Sequence, residues 1–185
     1  MLDCDVADKL NLICNVDEKV CKLSLYHKQQ IFARKDVKRV HIIASEHAEN
    51  ITVVTLGGAI GQFVSPMILF RGKRLKPEWE ENLPQGSNAV MTPEVSMTCE
   101  TFSQWINHFT MYKASGDRTL VIFDGASSLL DANIVSAEDR HNMTLFCLPS
   151  NTTHELQPLD KSVLKSFESF RDNEVLTFWM NHPDR

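Results

Sequence analysis

The sequence contains no hydrophobic run of the roughly 20 residues needed to cross a membrane. It also lacks a secretory signal at its amino terminus: Asp3, Asp5 and Asp8 stand where such a signal has a basic flank and an apolar core. We therefore expect a protein that neither enters a membrane nor passes through the secretory pathway.

The cysteines and histidines do not have the spacing that is typical of disulfide frameworks or zinc-binding motifs. The five cysteines are odd in number and include no Cys-x-x-Cys pair, and two of them, Cys14 and Cys147, lie inside apolar runs. The seven histidines do not have the intervals of zinc ligands. These absences argue against a disulfide framework and favour a reducing compartment, the cytosol or the nucleus.

The chain has no excess of positive charge. Its formal net charge is −5 at pH 7, which argues against a polycation that coats nucleic acid without selectivity. Basic residues do concentrate in two short segments, residues 34–39 and residues 71–76. Each segment is interpreted either as a solvated loop between strands or as a local surface for phosphate groups.

The apolar content is sufficient for one domain of ordinary size. The chain has 185 residues, of which 43% are hydrophobic. Five apolar runs predict buried strands, over residues 12–16, 51–56, 63–70, 120–123 and 143–148. The second and third runs flank the glycine-rich segment 57–61 and predict a β-hairpin, in which Pro66 marks either an edge strand or a bulge.

Helical periodicity is clearest after Thr98, which is the predicted N-cap. Apolar side chains then follow at intervals of three and four, and they are Phe102, Trp105, Ile106 and Phe109. Weaker patterns predict a helix over residues 128–140 and another from about Asp160 onward, whereas residues 71–96 lack periodicity and predict a long loop. This order of elements predicts an α/β fold, a mixed sheet with helices packed on its faces.

Three acids lie where predicted elements begin or end. Asp17 follows the first strand, Asp124 follows the fourth, and Asp160 begins the last helix. The carboxyl ends of neighbouring strands meet at one edge of an α/β sheet, and carboxylates gathered there repel one another unless a cation neutralises them. Hard oxygen ligands select Mg²⁺ or Mn²⁺, and a pair of such ions roughly 3.5 to 4 Å apart can cleave phosphodiesters. The alternative interpretation is that the three acids only cap helices and form turns.

Four stretches of sequence surround these acids. The longest reads Leu-Pro-Ser-Asn-Thr-Thr-His-Glu-Leu-Gln-Pro-Leu-Asp and ends at Asp160. The others are Asn-Val-Asp-Glu at residues 15–18, Leu-Val-Ile-Phe-Asp-Gly at residues 120–125, and the predicted hairpin at residues 50–70. Together they resemble the DDE domain of pogo transposases, a group with Tigger-like, jerky-like and centromere-protein-B-like members, and they extend from about residue 13 to residue 165.

The resemblance implies a ribonuclease-H-like fold, a mixed sheet with helices on both faces. It implies that Asp17, Asp124 and Asp160 are the catalytic and metal-binding residues. Two Mg²⁺ or Mn²⁺ ions would be shared by Asp17 and Asp124, with one coordination shell completed by Asp160. The family hydrolyses a DNA strand at a transposon end and directs the freed 3′-hydroxyl at target DNA, without a protein nucleophile. The expected partner is therefore DNA, and the expected compartment is the nucleus.

The sequence departs from the family pattern beside two of the acids. Members usually have Asp-(Asn/Gly)-His-x-(Ser/Ala)-His at the second acid, whereas Asp124 and Gly125 are followed here by Ala-Ser-Ser-Leu, without either histidine. After the first acid, the usual Asp-Glu-Thr-Gly is Asp-Glu-Lys-Val, and Lys19 is expected either to pair with a carboxylate and compete with metal or to contact phosphate. His154 is interpreted either as orienting a water or phosphate or as a structural hydrogen-bonding residue.

Residues 1–185 are predicted to form one catalytic-core domain, without the amino-terminal helix-turn-helix domains that read transposon ends in the family. This predicts a fragment, a decayed copy or a reduced host-adopted form, with a second copy or a separate DNA-reading chain as candidate partners. Two functions stay open: an active metal-dependent DNA strand-transfer nuclease, and a catalytically silent DNA- or protein-binding module. A third, an unrelated α/β enzyme for a small molecule, requires a deep apolar pocket away from the three acids.

Overall fold

The computed structural model describes residues 8–22, 35, 50–113, 116–124, 132–149 and 152–182. Within these ranges, six strands form one sheet, and they are β1 (Ile13–Lys22), β2 (Asn50–Gly58), β3 (Phe63–Arg71), β4 (Asn88–Thr92), β5 (Thr119–Phe123) and β6 (Met143–Cys147). The helices are α1 (Pro77–Glu80), α2 (Cys99–Thr110), α3 (Ala132–Arg140), α4 (Thr153–Leu156), α5 (Pro158–Lys161) and α6 (Val163–Asn181), and a short 3-10 turn spans Leu10–Leu12.

The sheet is mixed, with strand order β4-β3-β2-β1-β5-β6. Strand β2 is antiparallel to both of its neighbours, β1 and β3. Strand β4 is parallel to β3, and β5 and β6 continue parallel to β1. Every strand except β2 therefore runs in the same direction, and the carboxyl ends of these five strands lie at one edge of the sheet. The predicted α/β fold with a mixed sheet is confirmed.

The predicted hairpin is confirmed as β2 and β3, and it contains a bulge at Pro66. Val54 pairs with Met67, but Leu56 pairs with Val64, so that Ser65 and Pro66 lie together in the interval opposite a single β2 residue. Proline has no amide hydrogen to donate to the neighbouring strand, and a bulge removes the need for that hydrogen bond. The edge-strand alternative for Pro66 is wrong, because β3 lies inside the sheet between β2 and β4.

The prediction of a loop over residues 71–96 is also wrong. This segment contains the short helix α1 and the edge strand β4, which pairs with β3 from Met67 to Arg71. Most of β4 is only half-buried, so its five residues carry no clear alternation of apolar and polar side chains. Helix α1 contributes Trp79, whose ring stacks on Phe70 at a centroid distance of 4.9 Å.

Helices α2 and α3 cover one face of the sheet. Helix α2 begins as predicted, because the Thr98 side chain accepts a hydrogen bond from the Thr101 amide and Thr101 caps the Thr98 amide in return. The predicted apolar stripe is buried against the strands, and its residues are Phe102, Trp105, Ile106 and Phe109. Helix α3 is described from Ala132 onward, so the start predicted at residue 128 lies outside the described residues.

Helices α5 and α6 lie on the opposite face. Lys19 of β1 forms an ion pair with Glu168 of α6, with 2.6 Å between Nζ and Oε1. Arg171 of α6 donates a hydrogen bond to the carbonyl of Lys22, at 2.8 Å. The single carboxyl-terminal helix predicted from about Asp160 is thus two helices in the structure. The chain leaves helical geometry at Ser162, which separates them.

Candidate metal-binding active site

Asp17 lies where two strands stop pairing, and not at the end of its strand as predicted. Strand β1 continues to Lys22, because it stays paired with β2 along that whole length. Its parallel pairing with β5, however, ends at Val16 and Phe123. Asp17 is the next residue of β1, and Asp124 is the residue that follows β5. Both acids therefore lie at the same level, one residue beyond the last paired residues of β1 and β5.

Asp17 and Asp124 line one small cleft at this edge of the sheet, together with Glu18, Met97 and Phe102. The third acid, Asp160, lies in the first turn of α5 on the opposite face from α2. It is near enough for its negative charge to raise the pKa of Asp17, and the charge of Asp124 acts in the same direction. The structure thus brings the three predicted acids to one edge, and none of them is on a remote surface. Their assignment as metal ligands stays a prediction.

The environment of Asp17 opposes its negative charge. Burial is the largest cause, and together with the charge of Asp160 it raises the pKa of Asp17 from 3.8 to about 6. A hydrogen bond from the Glu18 amide and the nearby side-chain amide of Gln157 lower this pKa. The Glu18 amide binds Oδ1 at 2.8 Å. The other oxygen, Oδ2, is buried and no described donor has hydrogen-bond geometry to it, because the nearby amide of Gln157 donates to the carbonyl of Val16 instead. A buried carboxylate oxygen without a partner is a suitable ligand for a cation, which would also relieve the repulsion between the acids.

The acids do not converge on a single point. Among the described residues, no three His, Cys, Asp or Glu side chains are grouped closely enough to hold one ion together. The described carboxylates offer oxygen ligands, which fit Mg²⁺ or Mn²⁺ better than Zn²⁺. Asp17 is coupled to both of the other acids through their charges. The three acids therefore influence one another by charge without forming one compact ligand cluster.

Glu18 is a fourth acid at the same cleft, and no pattern in the sequence assigns it a role. It points toward α2, where its Oε2 accepts a hydrogen bond from the Met97 amide at 3.2 Å. Burial raises the pKa of Glu18, the hydrogen bond from Met97 lowers it, and the charges of Asp17 and Asp124 raise it. The only signal in the sequence was its position directly after Asp17.

Of the other residues that the sequence placed near the site, the structure describes the contact of Lys19 but leaves most of the rest outside the described residues. Lys19 is paired with Glu168, a carboxylate outside the predicted trio. The positions after Asp124 where the family histidines are missing, and the side chain of His154, lie outside the described residues. Of the basic segment 34–39, only Lys35 is described.

The second basic segment begins level with Lys22, five residues beyond Asp17 along the direction of β1. Residues 71–76 follow the carboxyl end of β3, which runs parallel to β1 and β5. The four basic side chains are exposed, and they are Arg71, Lys73, Arg74 and Lys76. Lys76 lies over the ring of Trp79, with its Nζ 4.7 Å from the ring centroid. The exposed basic segment is therefore separate from the acidic cleft, whose described lining includes none of its residues.

The sequence matches the DDE superfamily endonucleases over residues 49–184, which is more than half of the chain. This chain belongs to that family. The match contains Asp124 and Asp160, whereas Asp17 precedes its first residue. The DDE chain also has a curated relative, the MFS-type transporter clz9 of Cochliobolus lunatus, at 28% identity over 148 residues. Those residues are 78% of this chain and only 16% of that protein.

Solved structures of the Mos1 transposase have a similar fold. The paired-end complex with the left transposon end aligns with a TM-score of 0.59 and 13% identity, and the mariner paired end complex with Mn aligns with 0.60 and 11%. The alignments cover 95% and 93% of the DDE chain but 48% and 47% of the Mos1 chains. The DDE chain thus spans about half the length of these relatives, and the likeness confirms its ribonuclease-H-like fold.

In the part of the chain that the structure describes, no helix has the length and apolar character needed to cross a membrane.

Proposed function

We propose that this DDE chain is the catalytic core of a pogo-type transposase, which binds DNA and cleaves and transfers its strands with divalent metal. The observation that carries the proposal is the buried, unpartnered Oδ2 of Asp17 at an edge where Asp124 and Asp160 add negative charge. Membership of a family of endonucleases supports the proposal, because two-metal sites cleave phosphodiesters.

The three acids would hold two Mg²⁺ or Mn²⁺ ions, which supply an activated water or 3′-hydroxyl and stabilise the leaving oxygen. Asp17 is oriented for this role by the Glu18 amide, which occupies Oδ1 and leaves Oδ2 for a cation. Asp124 is exposed at the mouth of the cleft, where it can meet both an ion and a DNA phosphate. Asp160 would supply a further carboxylate ligand. No side chain needs to act as a nucleophile.

DNA binding is supported by the exposed basic segment 71–76, which follows the carboxyl end of β3. Contacts from such a segment go to phosphates, so we expect binding that weakens with salt and has little dependence on sequence. Selection of a target would then come from a second copy or from a separate DNA-reading domain or chain. A nuclear location follows from this proposed activity.

A catalytically silent DNA- or protein-binding module is the second candidate. It is favoured by Ala126 and Leu129, which stand where the family usually has histidines after the second acid. Membership of the DDE superfamily endonucleases argues against the third candidate, an unrelated α/β enzyme for a small molecule.

Nicking of supercoiled plasmid tests the proposal. The wild-type chain, Asp124→Ala and Asp117→Ala are compared in Mg²⁺, in Mn²⁺ and in chelator, with DNA binding measured in parallel. Asp117 is an exposed acid before the amino end of β5, so it is a matched control for the acid at the carboxyl end. Metal-dependent nicking that only Asp124→Ala abolishes supports the active enzyme. DNA binding without nicking selects the silent module, and the absence of both refutes the proposal.

A further inference from the structure

Two buried amide side chains lie between the segments that carry the three acids. Asn15 of β1 is 6% exposed, and Gln157, which directly precedes α5, is fully buried. Buried amides need hydrogen-bond partners for both their oxygen and their nitrogen, so their contacts constrain the surrounding backbone.

Asn15 joins three separate segments of the chain. Its Nδ2 donates to the carbonyl of Ile122 in β5 at 3.0 Å and to Oε1 of Gln157 at 3.1 Å. Its Oδ1 accepts a hydrogen bond from the amide of Leu159 in α5 at 3.2 Å. One side chain therefore holds β1, β5 and α5 together.

Gln157 completes the connection from the other side. Its Nε2 donates to the carbonyl of Val16 in β1 at 3.0 Å. Because its Oε1 is bound by Asn15, the two amides form a pair that is fixed to the backbone at three points: Val16, Ile122 and Leu159.

Each of these backbone points lies one or two residues before an acid. Val16 is followed by Asp17, Ile122 lies two residues before Asp124, and Leu159 is followed by Asp160. We infer that Asn15 and Gln157 are positioning residues that set the relative placement of the three acids, and so the affinity of the site for divalent metal. This inference rests on the proposed function.

The chemistry of the contacts explains why amides occupy both positions. The backbone offers two carbonyl oxygens, which need donors, and one amide hydrogen, which needs an acceptor. An apolar residue would leave these buried groups without partners, and a carboxylate could not donate to the carbonyls of Val16 and Ile122. A purely stabilising role for the same contacts is the competing explanation, and it predicts no specific effect on metal binding.

The test uses Asn15→Ala, Gln157→Met and the double variant. Gln157→Met keeps the length of the side chain and its apolar contacts, so it reports on the network even where Asn15→Ala lowers the folded population. The control is His108→Phe in α2, because His108 is also buried and its Nε2 bonds the carbonyl of Ser65 at 2.8 Å, on β3. Mn²⁺ affinity is measured by calorimetry, thermal unfolding is measured in chelator, and plasmid nicking gives kcat and KM for DNA.

We expect each single variant to lose roughly tenfold or more in Mn²⁺ affinity, as is typical when residues that orient metal ligands are changed. Nicking should lose kcat with little change in KM for DNA. The double variant should lose much less than the product of the two single effects, because both act through one network. His108→Phe should unfold at lower temperature and keep its Mn²⁺ affinity.

Two results contradict the inference in distinguishable ways. If the wild-type chain binds Mn²⁺ and both Asn15→Ala and Gln157→Met bind it equally well, the amides are structural only and the proposed function stands. If the folded wild-type chain neither binds Mn²⁺ nor nicks DNA, the proposed function itself fails, and the inference fails with it.

Discussion

Replacement of Asp17 by asparagine is expected to stabilise the metal-free protein at neutral pH. Burial and the charge of Asp160 raise the pKa of Asp17 in the folded chain to about 6, whereas an unfolded aspartate titrates near pH 3.9. The folded state therefore holds the proton more tightly. The stability that this protonated group contributes is complete below about pH 4 and is lost as the pH rises through about 6.

The size of the effect follows from the shift in pKa. A shift of about two units corresponds to roughly 3 kcal/mol between the two protonation states. Asparagine removes the charge but has a different hydrogen-bonding pattern, so we expect a gain of roughly 1 to 3 kcal/mol at pH 7.5. For a domain of this size, that gain raises the midpoint of thermal unfolding by roughly 2 to 10 °C.

Circular dichroism in chelator at pH 4.5 and pH 7.5 measures this difference. The gain for Asp17→Asn should be present at pH 7.5 and small at pH 4.5, while Asp117→Asn, an exposed acid remote from the cleft, should change little at either pH. Mn²⁺ should raise the unfolding temperature of the wild-type chain and have little effect on Asp17→Asn. An asparagine variant that is less stable than the wild type at pH 7.5 would show that the buried charge is already compensated, and the argument for a cation would be refuted.

Three further changes test the fold and the basic segment. Thr98→Ala removes the N-cap of α2 and should cost about 1 kcal/mol in the free energy of unfolding by urea. Trp105→Ala empties a position that is 2% exposed and stacked on its neighbours, and should cost about 3 to 5 kcal/mol in the same assay. Lys73→Ala combined with Arg74→Ala should weaken DNA binding and reduce the slope of log K against log salt by about 2, as measured by fluorescence anisotropy.

The capping change and the change in the basic segment each have a matched control. Thr98→Ser keeps the capping oxygen and should keep most of the stability, so an equal loss for serine and alanine would contradict the capping argument. Lys113→Ala combined with Arg118→Ala removes two positive charges near the amino end of β5 and should leave the salt slope nearly unchanged. Equal losses of DNA affinity in both pairs would mean that net charge, and not the basic segment, sets binding.

Elements with a strong local signal could be predicted from the sequence. The apolar stripe and the N-cap of α2, the glycine turn between β2 and β3, and the end of β5 before Asp124 all depend on residues close together in the chain. The choice of Asp17, Asp124 and Asp160 as candidate ligands came from motif resemblance, and the structure brings all three to one edge. The strand β4 was missed, because a short edge strand buries too little of either face to produce a periodic pattern.

Only the tertiary structure decided how the site is assembled. The length of β1 depends on its partner β2, so the local sequence around Asp17 could not reveal that the strand continues. The contacts of Asn15 reach across 107 residues to Ile122 and across 144 residues to Leu159. Hydrogen bonds between segments so far apart produce no recognisable pattern in the sequence. They depend on how strands and helices pack, and not on the periodicity of any one element.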